Sequence, residues 1–442
     1  MASFVQYRFL PRLGDPFALR VTRTSLPENT RGDFVLYRPT AARRLSANLA
    51  LDFAALRAEE LGLPLKVAEA PDEPFLNDRL RAFLVEGVRV NAAAGYDYVF
   101  VDDPSELEQR ARVIVADEFP TRRGRAHFLI DGNGLLPMRV FGKEQYSAKF
   151  LRDRAHRLLP DWWALPPSLS PPGGESVPKA GEGPSPGGRP AAAVRLNDFI
   201  EHGLPGYAEL RNKDPRHTSG LSPYLHFGHI GIHEVAERVL ASGAPDEDVD
   251  AFLEEAVIRR ELSFNLCFYN PHYDSLRCLP EWAKRTLDAH RRDRRKPCYS
   301  AAELEQAETH DDVWNLAQRQ LVESGTMHGY LRMLWGKKVI EWSATPEEAH
   351  AFLIDQHARY ALDGRDPNTH AGVLWCFGKH DRPWAPERPI FGTIRYMSSE
   401  QTRRKVKFDA IASGATSRNR ALFGTADSAT PRPSRPAPSR RR

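Results

Sequence analysis

Cysteine is scarce. The 442 residues hold four, Cys267, Cys278, Cys298 and Cys376, and no two of them are spaced as C-x-x-C. That argues against a disulfide scaffold or a metal cluster, so the thiols read as reduced, as in a cytoplasm. Long apolar runs are missing as well, which excludes a membrane-spanning helix. The opening MASFVQYRFLPRL lacks the continuous apolar segment of a secretory signal. No G-x-G-x-x-G follows the first β-like run, so a dinucleotide site in that half has no support. No internal repeat is present. Net charge is modest at +4, which permits a polyanionic partner without demanding one.

What is present is a composition of 41% hydrophobic and 27% charged residues, suited to a globular chain of two or three domains. In the first third, β-rich runs (34–37, 63–70, 96–103, 111–119 and 127–134) alternate with helical patterns such as ARRLSANLALDFAALRAEELG. That alternation predicts a parallel sheet covered by helices, an α/β domain over 30–165. The stretch 166–190, PPSLSPPGGESVPKAGEGPSPGGRP, is rich in Pro, Gly and Ser and reads as a flexible linker. Helical periodicity then dominates 192–415, a large all-α domain. The final 424–442 reads as a disordered basic tail.

Three stretches of the helical half carry candidate chemistry. In GYAELRNKDPRHTSGLSPYLHFG, the small-residue loop Thr218, Ser219, Gly220, Leu221, Ser222 precedes a helix opening at Pro223. Its hydroxyls and N–H groups suit an anion such as a pyrophosphate, and plain helix capping is the simpler account. In EEAVIRREL, Arg259, Arg260 and Glu261 interrupt an apolar stripe; a buried carboxylate there requires a partner, which Arg supplies. In YALDGRDPNTHAGVLWCFG, Asp363 and Asp366 flank a Gly-Arg turn, with Asn368 and Trp375 following. Such a turn presents several polar groups to one ligand. A fourth stretch, HGYLRMLWGKKVIEW, reads as one helix with Trp335 and Trp342 seven residues apart. By spacing alone the two are core residues sharing a stripe with Leu331, Leu334 and Val339.

In order and combination these motifs, with FYNPHYDS and VWNLAQRQLVESGTMHGYLRMLWGKKVIEW, make residues of roughly 196–410 resemble the photolyase/cryptochrome family. The resemblance is closest to class II cyclobutane pyrimidine dimer photolyases. It implies a Rossmann-like antenna domain followed by a helical domain binding FAD and DNA. The 218–222 loop would contact the FAD phosphates and Tyr207 the flavin. Arg332 would lie beside the isoalloxazine, with Asp363, Asp366 and Asn368 in the acidic turn around the flavin's polar edge. Glu261 matches the active-site glutamate, Trp375 the tryptophan that stacks on the lesion, and Met333 the same pocket. Trp314, Trp335 and Trp342 match the electron-transfer tryptophans that re-reduce the flavin. Along the helix axis Trp335 and Trp342 would stand about 10.5 Å apart. The implied reaction is light-driven: reduced FAD passes one electron to a flipped-out dimer in DNA, the cyclobutane ring splits, and the electron returns. The expected molecule is a cytoplasmic monomer without a membrane partner.

Two departures qualify that expectation. Where class II chains read L-N-D-R-Y, this one reads Gln356-His357-Ala358-Arg359-Tyr360. His357 therefore takes the place of an asparagine facing the flavin, and a histidine can donate, accept or carry charge near neutral pH. In the first strand, Tyr37-Arg38-Pro39-Thr40 replaces Y-W-M-Q, which leaves an antenna pigment of deazaflavin or folate type an open question. A cryptochrome-like photosensor without repair is the alternative function, and a flavin-containing DNA-binding protein without photoactivity is a third.

Overall fold

The structure is a computed structural model. It describes residues 3–7, 15–71, 77–92, 97–122, 124–163 and 186–408. Most of the expected linker and the whole of the basic tail lie outside the described residues.

The apolar runs of the first third form strands because both of their faces are covered. β2 (Val35–Arg38) and β5 (Val113–Asp117) are buried at every residue, as central parallel strands must be. With β1 (Val21–Arg23), β3 (Leu65–Glu69), β4 (Tyr98–Phe100) and β6 (Phe128–Ile130) they make one sheet of order β1-β6-β5-β2-β3-β4. All neighbours pair in parallel except β1, which lies antiparallel on β6. This edge strand lies upstream of residue 30, and its three residues carry too short a pattern to be read from sequence. Helix α1 (Leu49–Leu61) starts where the Asn48 side chain accepts from the Ala50 and Leu51 N–H groups, and it ends at Gly62 in the left-handed region. Helix α2 (Asp78–Ala92) packs beside β4, a short helix follows at Ser105–Arg110, and helix α3 (Ala148–Trp162) packs on the second body.

From α4 (Gly188–Asp198) onward the fold is helical. The helices that matter for the site are α5 (Arg260–Tyr269), α6 (Asp312–Ser324), α7 (Gly329–Trp342), α8 (Pro346–Tyr360) and α9 (Pro367–Cys376). A π-helical stretch, Glu254–Arg259, runs straight into α5. Such bulges are frequent at functional sites.

Buried polar contacts tie the two bodies together. Asp117, at the end of β5, accepts from the Thr40, Ala41 and Ala42 N–H groups and from the Tyr37 hydroxyl. The loop it organises packs on Gly228, whose φ is +72° and where an added Cβ would lie 1.7 Å from the Ala41 carbonyl oxygen. Only glycine fits there. Arg44 donates to the Gly228 carbonyl, and Arg260 donates to that of Asn133. Among the described residues, no helix is long and apolar enough to cross a membrane, and the four cysteines are unpaired.

Candidate active site

A cavity of about 760 Å³ opens in the helical body, within the size range of cofactor and ligand sites. Tyr207, Thr218, Ser219, Gly220, Ser222, Arg332, Met333, Asp363 and Trp375 all line it. These residues are far apart in sequence. Tyr207 opens a short helix, Arg332 and Met333 come from α7, Asp363 from the turn before α9, and Trp375 from the last turn of α9. Arg332 donates to both oxygens of Asp363, at 3.3 and 3.2 Å. Burial alone would raise the Asp363 carboxyl, but Arg332 and a hydrogen bond from Ser222 hold it below its ordinary range. Burial raises the Tyr207 hydroxyl, which stays protonated. Cationic side chains dominate the remaining wall, with Arg195, Arg211, Arg216, Arg395 and Lys405 set against Glu255 and Asp381. That balance favours an anionic ligand.

Other expected residues do not line the cavity. Leu221 is buried in the apolar core. Asp366 caps α9: it accepts from the Asn368 backbone N–H at 3.0 Å and from the Asn368 amide at 2.6 Å, and it faces His226 at 3.3 Å. Burial opposes its charge, yet His226 and Arg260 hold its carboxyl at about 2. Asp366 and Asn368 thus shape the turn that presents Asp363 and do not line the cavity. His357 is buried behind Arg332, with its Nδ1 2.7 Å from the Leu353 carbonyl oxygen. A carbonyl only accepts, so Nδ1 carries the hydrogen and Nε2 is left as an acceptor. Burial, aided by Arg332, lowers the ring to about 4, so it is neutral at neutral pH and the charged form expected as one option is absent there.

Glu261 also lies elsewhere. It is buried against the loop after β6, where it accepts from the Leu136 N–H at 3.2 Å. A Cβ on Gly134 would lie 2.4 Å from its carboxylate. Desolvation pushes Glu261 up to about 7, against the Leu136 hydrogen bond and Arg260. The glutamate that does line the cavity, together with Arg259 and Trp375, is Glu255. The two glutamates are six residues apart, which is not a whole number of turns in an α-helix or in the wider π-helical stretch that holds Glu255, so they face different ways. Glu255 stands one turn before Arg259 in EEAVIRREL, and that spacing was the signal for it.

The three tryptophans are fully buried and form one connected group. Its order differs from the order along α7. Trp314, on α6, stacks on Trp335 at 6.5 Å and 10°, and meets Trp342 edge-on at 5.7 Å. The run is therefore Trp335, Trp314, Trp342, with the α6 ring bridging the two that α7 separates. Trp314 donates to the Trp335 carbonyl and Trp335 donates to Gln318. At the inner end Trp335 meets the His357 ring edge-on at 5.2 Å. At the outer end Tyr299 and exposed His310 lie against Trp342.

A second cavity, of about 510 Å³, lies at the C-terminal ends of β2 and β5, where Arg38, Asp117, Arg122, Arg125 and Arg365 meet. The strand order runs from β2 outward in both directions, so this is the switch point at which open α/β sheets bind ligands.

No family model matches the sequence. Among curated proteins, the deoxyribodipyrimidine photo-lyase of Methanothermobacter thermautotrophicus is 37% identical over 421 residues, covering 86% of this chain and 94% of that protein. Two solved structures share the fold. A class III photolyase from Agrobacterium tumefaciens has a TM-score of 0.65 at 19% identity, over 90% of this chain and 88% of that one. An archaeal photolyase from Sulfolobus tokodaii, solved with two FAD molecules, has a TM-score of 0.58 at 15% identity, over 86% of this chain and 88% of that one. The α/β sheet, the helical body with its cationic cavity and this sequence identity converge: the chain belongs to the photolyase/cryptochrome family, among the deoxyribodipyrimidine photo-lyases.

Proposed function

We propose that the chain repairs cyclobutane pyrimidine dimers in DNA with light, using FAD held in the helical cavity. The observation that carries this reading is that Trp375, Met333 and Glu255 line the same cavity as the Arg332–Asp363 pair. The donors fit FAD. Hydroxyls of the 218–222 loop, with Arg195 and Arg216, suit a pyrophosphate, and the Arg332–Asp363 pair suits a planar ring with a polar edge. When bound, FAD supplies the light-excitable one-electron donor.

The chain's own residues supply the rest. The aromatic face of Trp375 receives a base that has left the duplex stack, and base–aromatic stacking contributes about 1–3 kcal/mol per base. Met333 fills the apolar wall beside it. Glu255 lines the cavity and hydrogen-bonds the dimer there. Arg332 and Asp363 fix the polar edge of the cofactor, and neutral His357 stands behind them as an acceptor. The tryptophan run provides a route for electrons from the surface when the cofactor has been oxidised. Protein cations near the mouth hold the DNA backbone. An antenna pigment of deazaflavin or folate type is assigned to the second cavity, at the switch point.

The test is illumination of reduced protein with an oligonucleotide carrying one thymine dimer. The reading expects intact thymines to return in the light. Photoreduction without any repair would move the assignment to the sensor.

A further inference from the structure

The side chain of Arg259 lies on the surface that a base has to use. Its guanidinium sits 4.9 Å above the ring of Trp375, inside the cavity. Its hold there is weak. The nearest carboxylate, Glu254, is 3.7 Å away, and both Glu254 oxygens are already taken by Arg152, at 2.8 and 2.5 Å. Among the described residues, the buried Nε of Arg259 has no hydrogen-bond partner. A planar cation resting on an aromatic face with an unmet donor is poised for a flat ligand with oxygen acceptors.

We propose that Arg259 is a substrate-contacting residue, which rests on the repair reading above. On binding, the guanidinium leaves the Trp375 face to the dimer and donates to its pyrimidine carbonyl oxygens. The position favours carbonyls over a phosphate, because Arg259 lies among the residues that would meet the bases, beside Trp375 and Glu255, and its Nε is buried. Arginine suits the task better than lysine, since a planar fork stacks and donates at once.

The experiment uses holoprotein of the parent, Arg259→Gln and Arg259→Lys, with flavin content and circular dichroism checked first. Flash repair is titrated with a single-dimer oligonucleotide, and binding of the same undamaged DNA is measured in parallel across salt concentrations. Loss of a charged hydrogen bond is expected to raise the half-saturating dimer concentration about 10- to 100-fold for Arg259→Gln. Arg259→Lys should recover little of it. Undamaged DNA should bind both variants as it binds the parent. Equal weakening on both DNAs, with a salt slope smaller by about 0.9, would mark a phosphate contact and overturn the proposal. Unchanged titrations would overturn it as well. A parent that repairs nothing would instead remove the repair reading itself.

Discussion

Glu255 and Glu261 separate function from stability, and replacing each in turn shows it. Glu255 is exposed and lines the cavity, and it forms no ion pair among the described residues. Glu255→Ala should therefore cost no more than about 0.5 kcal/mol of stability, while repair per absorbed photon falls severalfold. Glu261 is buried at the junction of the two bodies and is pushed up to about 7 from 4.5. A carboxyl raised by folding binds more protons in the folded state. Its contribution is present in full below pH 4.5 and is lost as pH rises through about 7. At 1.36 kcal/mol per pKa unit, that is on the order of 3 kcal/mol. Glu261→Gln, which stays neutral, should remove this decline while leaving repair near the parent's. Urea unfolding of both proteins from pH 4.5 to pH 8, beside flash repair, makes the comparison. Parallel stability profiles, or repair lost in Glu261→Gln and kept in Glu255→Ala, would refute the placement of the two carboxylates.

Trp314→Phe removes the ring that bridges Trp335 and Trp342. Light-driven flavin reduction should slow strongly while chemically reduced protein still repairs, and equal photoreduction would break the proposed route. The variant loses one buried hydrogen bond, so a stability loss of about 1–2 kcal/mol is expected. His357→Asn should shift the flavin midpoint potential without releasing the flavin. An unchanged potential would take His357 out of the cofactor's surroundings. Gly228→Ala should cost more than about 2 kcal/mol in a thermal or denaturant unfolding curve, because the added Cβ meets the Ala41 carbonyl at a positive φ.

The broad architecture was legible because period and composition are local properties. The strands at 65–69, 98–100, 113–117 and 128–130 fall inside the expected runs and the one at 35–38 overlaps the run at 34–37, and the helical body follows from helical spacing. β1 was not legible, since three residues on an edge leave almost no pattern. The cavity wall was legible wherever a motif residue also faces inward, as with Tyr207, Arg332 and Asp363. It failed where facing depends on the phase of one helix. EEAVIRREL names two kinds of carboxylate, and only the packing of α5 on the loop after β6 decides that Glu261 turns away. The tryptophan order was hidden for a similar reason. Spacing along α7 joined Trp335 to Trp342, whereas tertiary packing inserts Trp314 from α6 between them.

The central claim is that this helical cavity splits pyrimidine dimers with light. Its most direct measurement counts dimers lost per flash from a defined oligonucleotide, under anaerobic conditions, with flavin-loaded and chemically reduced protein and a dark control. The account predicts loss of dimers and recovery of intact thymines in the light alone. Dimers that survive illumination of protein shown to hold reduced flavin and to bind the DNA would contradict it.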